Sequence, residues 1–259
     1  MDAPDPSIPP PDAPVPGPPA APVAPPAEPR QRWRVTYARD PVPADAVGRS
    51  GLEAWQATLI GSGLPLAGLE TGGAGRARVA FAAPLPATAT GDAELAELWL
   101  LDRRPLWAVR EALADRLPPA HRWIDAEDVW LGAPALAGRV VAADWRIAVD
   151  EVATDDRERL AAASRALLAA RSLPRIRVKG TTEKPYDLRP LLGDVTVGWA
   201  EESGLTIRIR TRIDPEAGSG RPEEVVAALA EAAAVPLAIA AITRERLVLA
   251  GDRPAARRR

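Results

Sequence analysis

The chain has 259 residues, with 33 Lys and Arg against 35 Asp and Glu, a formal net charge of −2, no cysteine and one histidine. Without cysteine there is no disulfide, iron–sulfur cluster or thiolate zinc site, and the single His121 has no nearby ligand set, so neither a metal site nor a Ser-His-Asp arrangement is expected. No apolar run reaches the ~18 residues of a membrane span, so a cytosolic chain with no membrane contact is expected.

Residues 1–31 hold 13 of the 29 prolines and almost nothing large and apolar. Such a segment cannot offset its ordering entropy by burial, which predicts a disordered tail of polyproline character. It lacks the basic start and apolar run of a signal peptide. Trp33 to Tyr37 alternates as a strand. Residues 45–62 set Leu52, Trp55, Leu59 and Ile60 at helical spacing, with Gly61 and Gly63 as the stop. GRARVAFAAPLP begins a strand near Arg76, and ELAELWLL, 94–101, suits a strand beside it. Pro105 opens a helix over 104–117 that places Leu106, Val109, Leu113 and Leu117 on one face before Pro118-Pro119. HRWIDAEDVWLG reads as a strand. The order is β-α-β-β-α-β, a split ferredoxin-like unit.

The second half repeats it. GRVVAADWRIAV, 138–149, is a strand. Thr154 and two aspartates start the helix TDDRERLAAASRALLAAR. RIRVK, 175–179, is a strand, and residues 187–192 are a short connection with one helical turn. DVTVGW and LTIRIRTRI flank Glu201 to Gly204 as a hairpin. Pro222 opens the helix of RPEEVVAALAEAAA, and PLAIAAITRERLVLAG supplies the closing strand. The expectation is an α+β chain of two tandem ferredoxin-like (βαββαβ) lobes, 32–135 and 136–251, between the tail of 1–31 and a basic C-terminal tail of 252–259.

The chemistry concentrates in the second half. Arg175, Arg177 and Lys179 share one face of their strand, and Arg208, Arg210 and Arg212 share one face of theirs. If the faces coincide, six cations crowd one surface, repelling by roughly 0.2–1 kcal/mol per facing pair. The strands themselves contain no acidic partner, so an anionic ligand such as a phosphate backbone would relieve the repulsion. The plain alternative is a solvated face of arginine stems. The central strands carry arginines where an RNA-recognition sheet carries aromatics, which favours backbone contact over base readout. The only two lysines, Lys179 and Lys184, stand close to Asp187 and Arg189. Cations around Asp187 keep it ionised. It either caps the turn at LRPLL or pairs with Arg189, or it acts as a nucleophile or base. The tryptophans of the first half sit among core-spaced residues and read as packing. GLETGGAGRAR lacks GK[ST] and a following helix, so it is a loop and not a P-loop.

With these segments placed, the chain resembles the radical SAM-linked protein family, the DUF2344 domain, over about residues 32–250. The resemblance rests on GLPL at 63–66, VAFAAPLP at 79–86, VKGTTEKPYDLRPLL at 178–192 and LTIRIRTRIDPEAGSGRPEEVV at 205–226. The third is similar to a basic K-G-x-K-x-x-D-x-R-P-L segment of that family. The first half departs from it: ADAVGRSGLEAW stands where the family has an F-x-S-H-L-D-like segment, and TGGAGRAR replaces a G-F-N-P-R-P-like loop. The resemblance implies a radical SAM protein as partner and an RNA-related role. The expected function is therefore an accessory protein without catalysis or cofactor of its own. It would bind RNA through Arg175, Arg177, Lys179, Lys184, Arg189, Arg208, Arg210 and Arg212. The alternatives are an RNA-modifying, pseudouridine-synthase-like enzyme using Asp187, and a protein-interaction scaffold.

Overall fold

The computed structural model describes residues 27–69, 75–150, 152–180, 182–200 and 204–251. The Pro-rich stretch up to residue 26 and the basic tail 252–259 lie outside the described residues. The strands are β1 (Gln31–Arg39), β2 (Val79–Phe81), β3 (Thr90–Leu100), β4 (His121–Val129), β5 (Val140–Val149), β6 (Pro174–Lys179), β7 (Thr182–Asp187), β8 (Leu192–Ala200), β9 (Gly204–Asp214), β10 (Gly218–Ser219) and β11 (Ile239–Leu249). The helices are α1 (Arg49–Gly61), α2 (Leu106–Leu113), α3 (Leu136–Arg139), α4 (Arg157–Ala169) and α5 (Pro222–Ala233).

Instead of two separate sheets there is one nine-stranded mixed sheet, in the order β10-β9-β5-β11-β3-β1-β4, with β2 also on β3 and β8 also on β9. Among the described residues its one parallel contact is short: β11 meets β3 at Thr243↔Thr90 and Arg244↔Gly91. Around that seam the orders β2-β3-β1-β4 and β8-β9-β5-β11 are both antiparallel throughout. The alternation of strand side chains then sorts the faces. Trp33, Val35 and Tyr37 of β1, and Trp145, Ile147 and Val149 of β5, are buried on the helical side. There α1 adds Trp55 and Leu59, α2 Val109 and Leu113, α4 Leu160, Ala163 and Leu167, and α5 Val225, Val226 and Leu229.

The other face of β1 is buried too, and it is charged. Glu97, fully buried, accepts from Arg32 Nε at 2.9 Å and from Arg34 Nη2 at 2.9 Å. Arg32 also donates to the carbonyls of Ala133 (2.6 Å) and Pro134 (3.0 Å). A buried arginine survives only if its donors are spent, and here carbonyls and a carboxylate spend them.

The seam uses the same device. Arg244, on β11, donates to buried Glu94 on β3 (Nε–Oε1 2.8 Å) and to the carbonyls of Pro84 and Ala83 at 3.0 and 3.1 Å. Arg39 donates to the carbonyls of Leu85 (3.3 Å), Pro86 and Ala89 (3.2 Å). Proline cannot donate to a sheet ladder, so the AAPLP loop leaves carbonyls that the two guanidiniums take.

Several segments differ from expectation. Gln31, assigned to the tail, is buried in β1. Residues 136–139 form one helical turn before β5. The stretch after Gly180 is a strand: β7 pairs with β6 in a separate two-stranded ribbon, around Gly180 at φ +61°. Glycine adopts that left-handed conformation without strain. His121 packs its ring 5.4 Å from that of Tyr37 and 5.8 Å from that of Trp55, and burial lowers its pKa.

Candidate functional site

The basic residues expected to share one face do not meet, because β6 belongs to the ribbon while β9 is flanked by β5, β8 and β10. Each row also finds acidic partners on other elements. Arg175 pairs with Glu231 at 2.7 Å, and Arg177 with Glu224 at 3.2 Å, both on α5. Arg210 grips Asp144 of β5 with two bonds of 2.6 and 2.8 Å, and Arg246 of β11 adds a third at 2.8 Å. Burial opposes the charge on Asp144, but the bonds to Arg210 and Arg246 outweigh it and hold its pKa below the usual carboxylate range. Arg208 lies 3.5 Å from Glu245 and is 64% exposed. Arg212 is exposed, and so is Lys184, whose backbone faces Arg177 across the ribbon. The Lys179 side chain lies outside the described residues.

Arg189 is tied up structurally. It donates to the carbonyls of Leu168 (2.7 Å), Ala170 (3.1 Å) and Leu192 (3.0 Å), closing the C-terminal end of α4. That end exposes unpaired carbonyls that a cation suits. Asp187 ends β7, and its Oδ1 accepts the backbone N–H of Leu173 at 2.7 Å and of Arg189 at 2.9 Å. Those two bonds, Leu173's first, lower its pKa. The geometry is that of an Asx turn, which caps the 3-10 turn Arg189–Leu191 from the residue before its N-cap, Leu188. Its partners are these backbone N–H groups and the Ser172 side chain, with the Arg189 charge nearby, not a second carboxylate or a histidine poised for chemistry.

Three of the quoted segments converge elsewhere. A cavity of about 570 Å3 is walled by Ala83, Pro84 and Pro86 from VAFAAPLP, and by Thr211, Ile213 and residues 219–224 from the β9-to-α5 segment. Ala143, Trp145 and Arg244 complete the wall. Trp145 Nε1 donates to Thr211 Oγ1 at 2.9 Å, and the Arg244 guanidinium lies 5.4 Å from the Trp145 ring. The third segment buttresses the cavity from behind. Tyr186 Oη donates to Glu224, and Arg177 lies over the Tyr186 ring at 4.5 Å. Burial first, then the bond to Glu224 and its charge, push Tyr186 up to about 12. Burial opposes charge on Arg177 too, but the bond to Glu224 and its charge, together with Tyr186, outweigh it and raise its pKa. Gly220 admits the close approach at the back: a Cβ there would stand 2.8 Å from the Leu191 carbonyl oxygen.

A second recess, of about 390 Å3, opens along β5, β8 and β9, lined by Arg146, Thr196, Trp199, Thr206 and Arg208. Arg146 is shared between Asp92 (3.2 Å) and Glu245 (3.1 Å). Among the described residues, no cluster of three or more His, Asp or Glu is arranged to hold a metal, and no helix is long and apolar enough to cross a membrane.

Reading the strands one at a time misses Asp144, Glu224, Glu231 and Glu245. One signal was available: Glu224 and Glu231 are seven residues apart, hence on one face of α5. For Asp144 and Glu245 there was none, since their partners lie on other strands.

No curated protein matches the chain. Among solved structures, a chain of the "Crystal Structure of a Cbf5-Nop10-Gar1 Complex" is similar at 11% identity and TM-score 0.40, covering 85% of this chain and 50% of that one. The present chain thus spans about half the length of that relative, and at this level the likeness carries no functional argument. Residues 70–222 match the family described as "Uncharacterized protein conserved in bacteria (DUF2344)", and since that match covers more than half of the sequence, the chain belongs to the DUF2344 family.

Proposed function

We propose that the chain is an accessory protein, without catalysis of its own, that binds RNA beside a radical SAM partner. The observation that carries the RNA reading is the recess on β5, β8 and β9. There Arg146 and Arg208 stand beside Thr196 and Thr206 on the open face of the sheet, cations and hydroxyls that suit a phosphate backbone, while Trp199 pairs with buried Leu205 on the helical face and packs its ring against Arg157. The RNA contact thereby contracts from eight residues to Arg146 and Arg208, with Arg212 farther along β9. Glu245 must yield its arginines to phosphate on binding. Asp187, held as a cap, supports the non-catalytic reading. The recurrence of one antiparallel strand order on either side of the seam supports two ferredoxin-like units dividing near residue 135.

The test is binding of a labelled single-stranded RNA to the full chain across a salt series. Each lost phosphate contact lowers the log–log salt slope by about 0.7, so Arg208→Glu with Arg212→Glu should flatten it by about 1.4. Salt-independent binding, or an unchanged slope, refutes the reading. Co-purification with a radical SAM protein tests the partner.

The convergence of three segments on the larger cavity favours a second reading, a scaffold that seats a partner's side chain there. Thr211→Trp, which fills the cavity, would then abolish partner capture and leave RNA binding intact.

A further inference from the structure

Trp107 and Trp130 are 68% and 77% exposed. Tryptophan is on average among the more buried residues, and it anchors interfaces. Both lie at the end of the sheet where β1 begins. Trp107 is in the first turn of α2, and Trp130 directly follows β4. Gln31, the first residue of β1, ties these two segments together. Its Oε1 accepts the backbone N–H of Arg104 at 2.8 Å, and its Nε2 donates to Asp128 at 2.8 Å. Neighbouring Leu106 and Leu131 are 43% and 40% exposed, so apolar surface stands on both sides of that tie.

The chain enters the body at this same end, where Arg30 N–H donates to the Leu100 carbonyl at 2.8 Å. Immediately upstream, Pro16, Pro19, Pro22 and Pro25 recur at every third position. A polyproline II helix has three residues per turn, so prolines at this spacing fall on one edge of it. Such a helix is already ordered before it binds, and aromatic surfaces are what it docks on. From Pro25 to Gln31 the chain spans at most about 20 Å, enough to fold back onto residues beside Gln31.

We propose that the edge formed by Pro16, Pro19, Pro22 and Pro25 docks on the surface around Trp107 and Trp130 of the same chain. The short tether gives it an effective concentration that on the order of millimolar exceeds most free competitors. A proline-rich partner would have to displace it.

The experiment is hydroxyl-radical footprinting of the full chain, with oxidation of Trp107 and Trp130 read by mass spectrometry. Native protein is compared with a variant carrying Pro16→Ala, Pro19→Ala, Pro22→Ala and Pro25→Ala, which alters nothing in the described body. If the segment is docked about two-thirds of the time, oxidation at both tryptophans rises about threefold in the variant, while buried Trp33 and Trp55 stay unchanged. Equal oxidation in the two proteins overturns the proposal. So does protection that varies with protein concentration, which would assign the surface to the segment of a second copy.

Discussion

Replacing Asp187 by alanine removes the acceptor of two backbone N–H groups, those of Leu173 and Arg189 at 2.7 and 2.9 Å. Bonds to a charged acceptor are worth about 1.5–3 kcal/mol each; solvent screening of this partly exposed carboxylate brings them down to about 1–1.5 kcal/mol each, giving a loss of about 2–3 kcal/mol. In a body of this size each kcal/mol moves the midpoint by about 2–4 °C, so the melting temperature should fall by about 4–12 °C. Asp187→Asn keeps the side-chain oxygen in place and loses only the charge, which costs about 1 kcal/mol or less. The pH dependence has a definite sign. The folded pKa of Asp187 lies below its ordinary value, so its stabilisation is complete above that ordinary value and is lost as pH falls through the lowered one. The gap between native protein and Asp187→Ala must therefore narrow in acid. Thermal unfolding followed by circular dichroism, at neutral pH and in acid, measures all three proteins. An Asp187→Ala variant that melts with the native protein refutes the cap. A catalytic aspartate would show that behaviour together with lost turnover.

Glu97→Ala strands Arg32, only 2% exposed, beside Arg34, so it should cost about 3–5 kcal/mol by urea denaturation; replacing all three by apolar residues of similar volume should cost far less. Gly220→Ala drives a methyl against the Leu191 carbonyl and Thr211 Cβ, at 2.8 and 3.1 Å, and should lower stability by about 1–3 kcal/mol, with an unchanged melting curve as the refuting result. The lowered pKa of Asp144 places its contribution above the ordinary carboxylate pKa and removes it as pH falls, so Asp144→Asn should show a flatter acid limb of stability against pH. Both tyrosines ionise late, Tyr186 at about 12 and Tyr37 raised above its usual value by burial, then by Glu94. Ultraviolet titration of the folded chain should therefore show no tyrosinate step at the ordinary position near 10, and a step there would contradict both environments.

What was legible in the sequence is what neighbouring residues decide among themselves. Helical spacing located Trp55 and Leu59 on α1, and Pro222 opened α5. Alternation put Arg208, Arg210 and Arg212 opposite Ile207 and Ile209, as β9 has them. Asp187 was readable as a cap because its two acceptor bonds serve the chain immediately around DLRP and the start of β6. The neighbour of each strand was not readable. Alternation fixes which way a side chain points, and long-range burial fixes what stands opposite it. Only the folded chain brings Asp144 and Glu245 to the arginines of β9, and Glu224 and Glu231 to those of β6. That turns an apparent surface of cations into a set of ion pairs. The cavity shared by the AAPLP loop and the start of α5 depends on the same distant pairing, since β11 must reach β3 for Arg244 to hold that loop. A period in the sequence is a property of one backbone, whereas a charge's partner is a property of two, and only tertiary structure chooses the second.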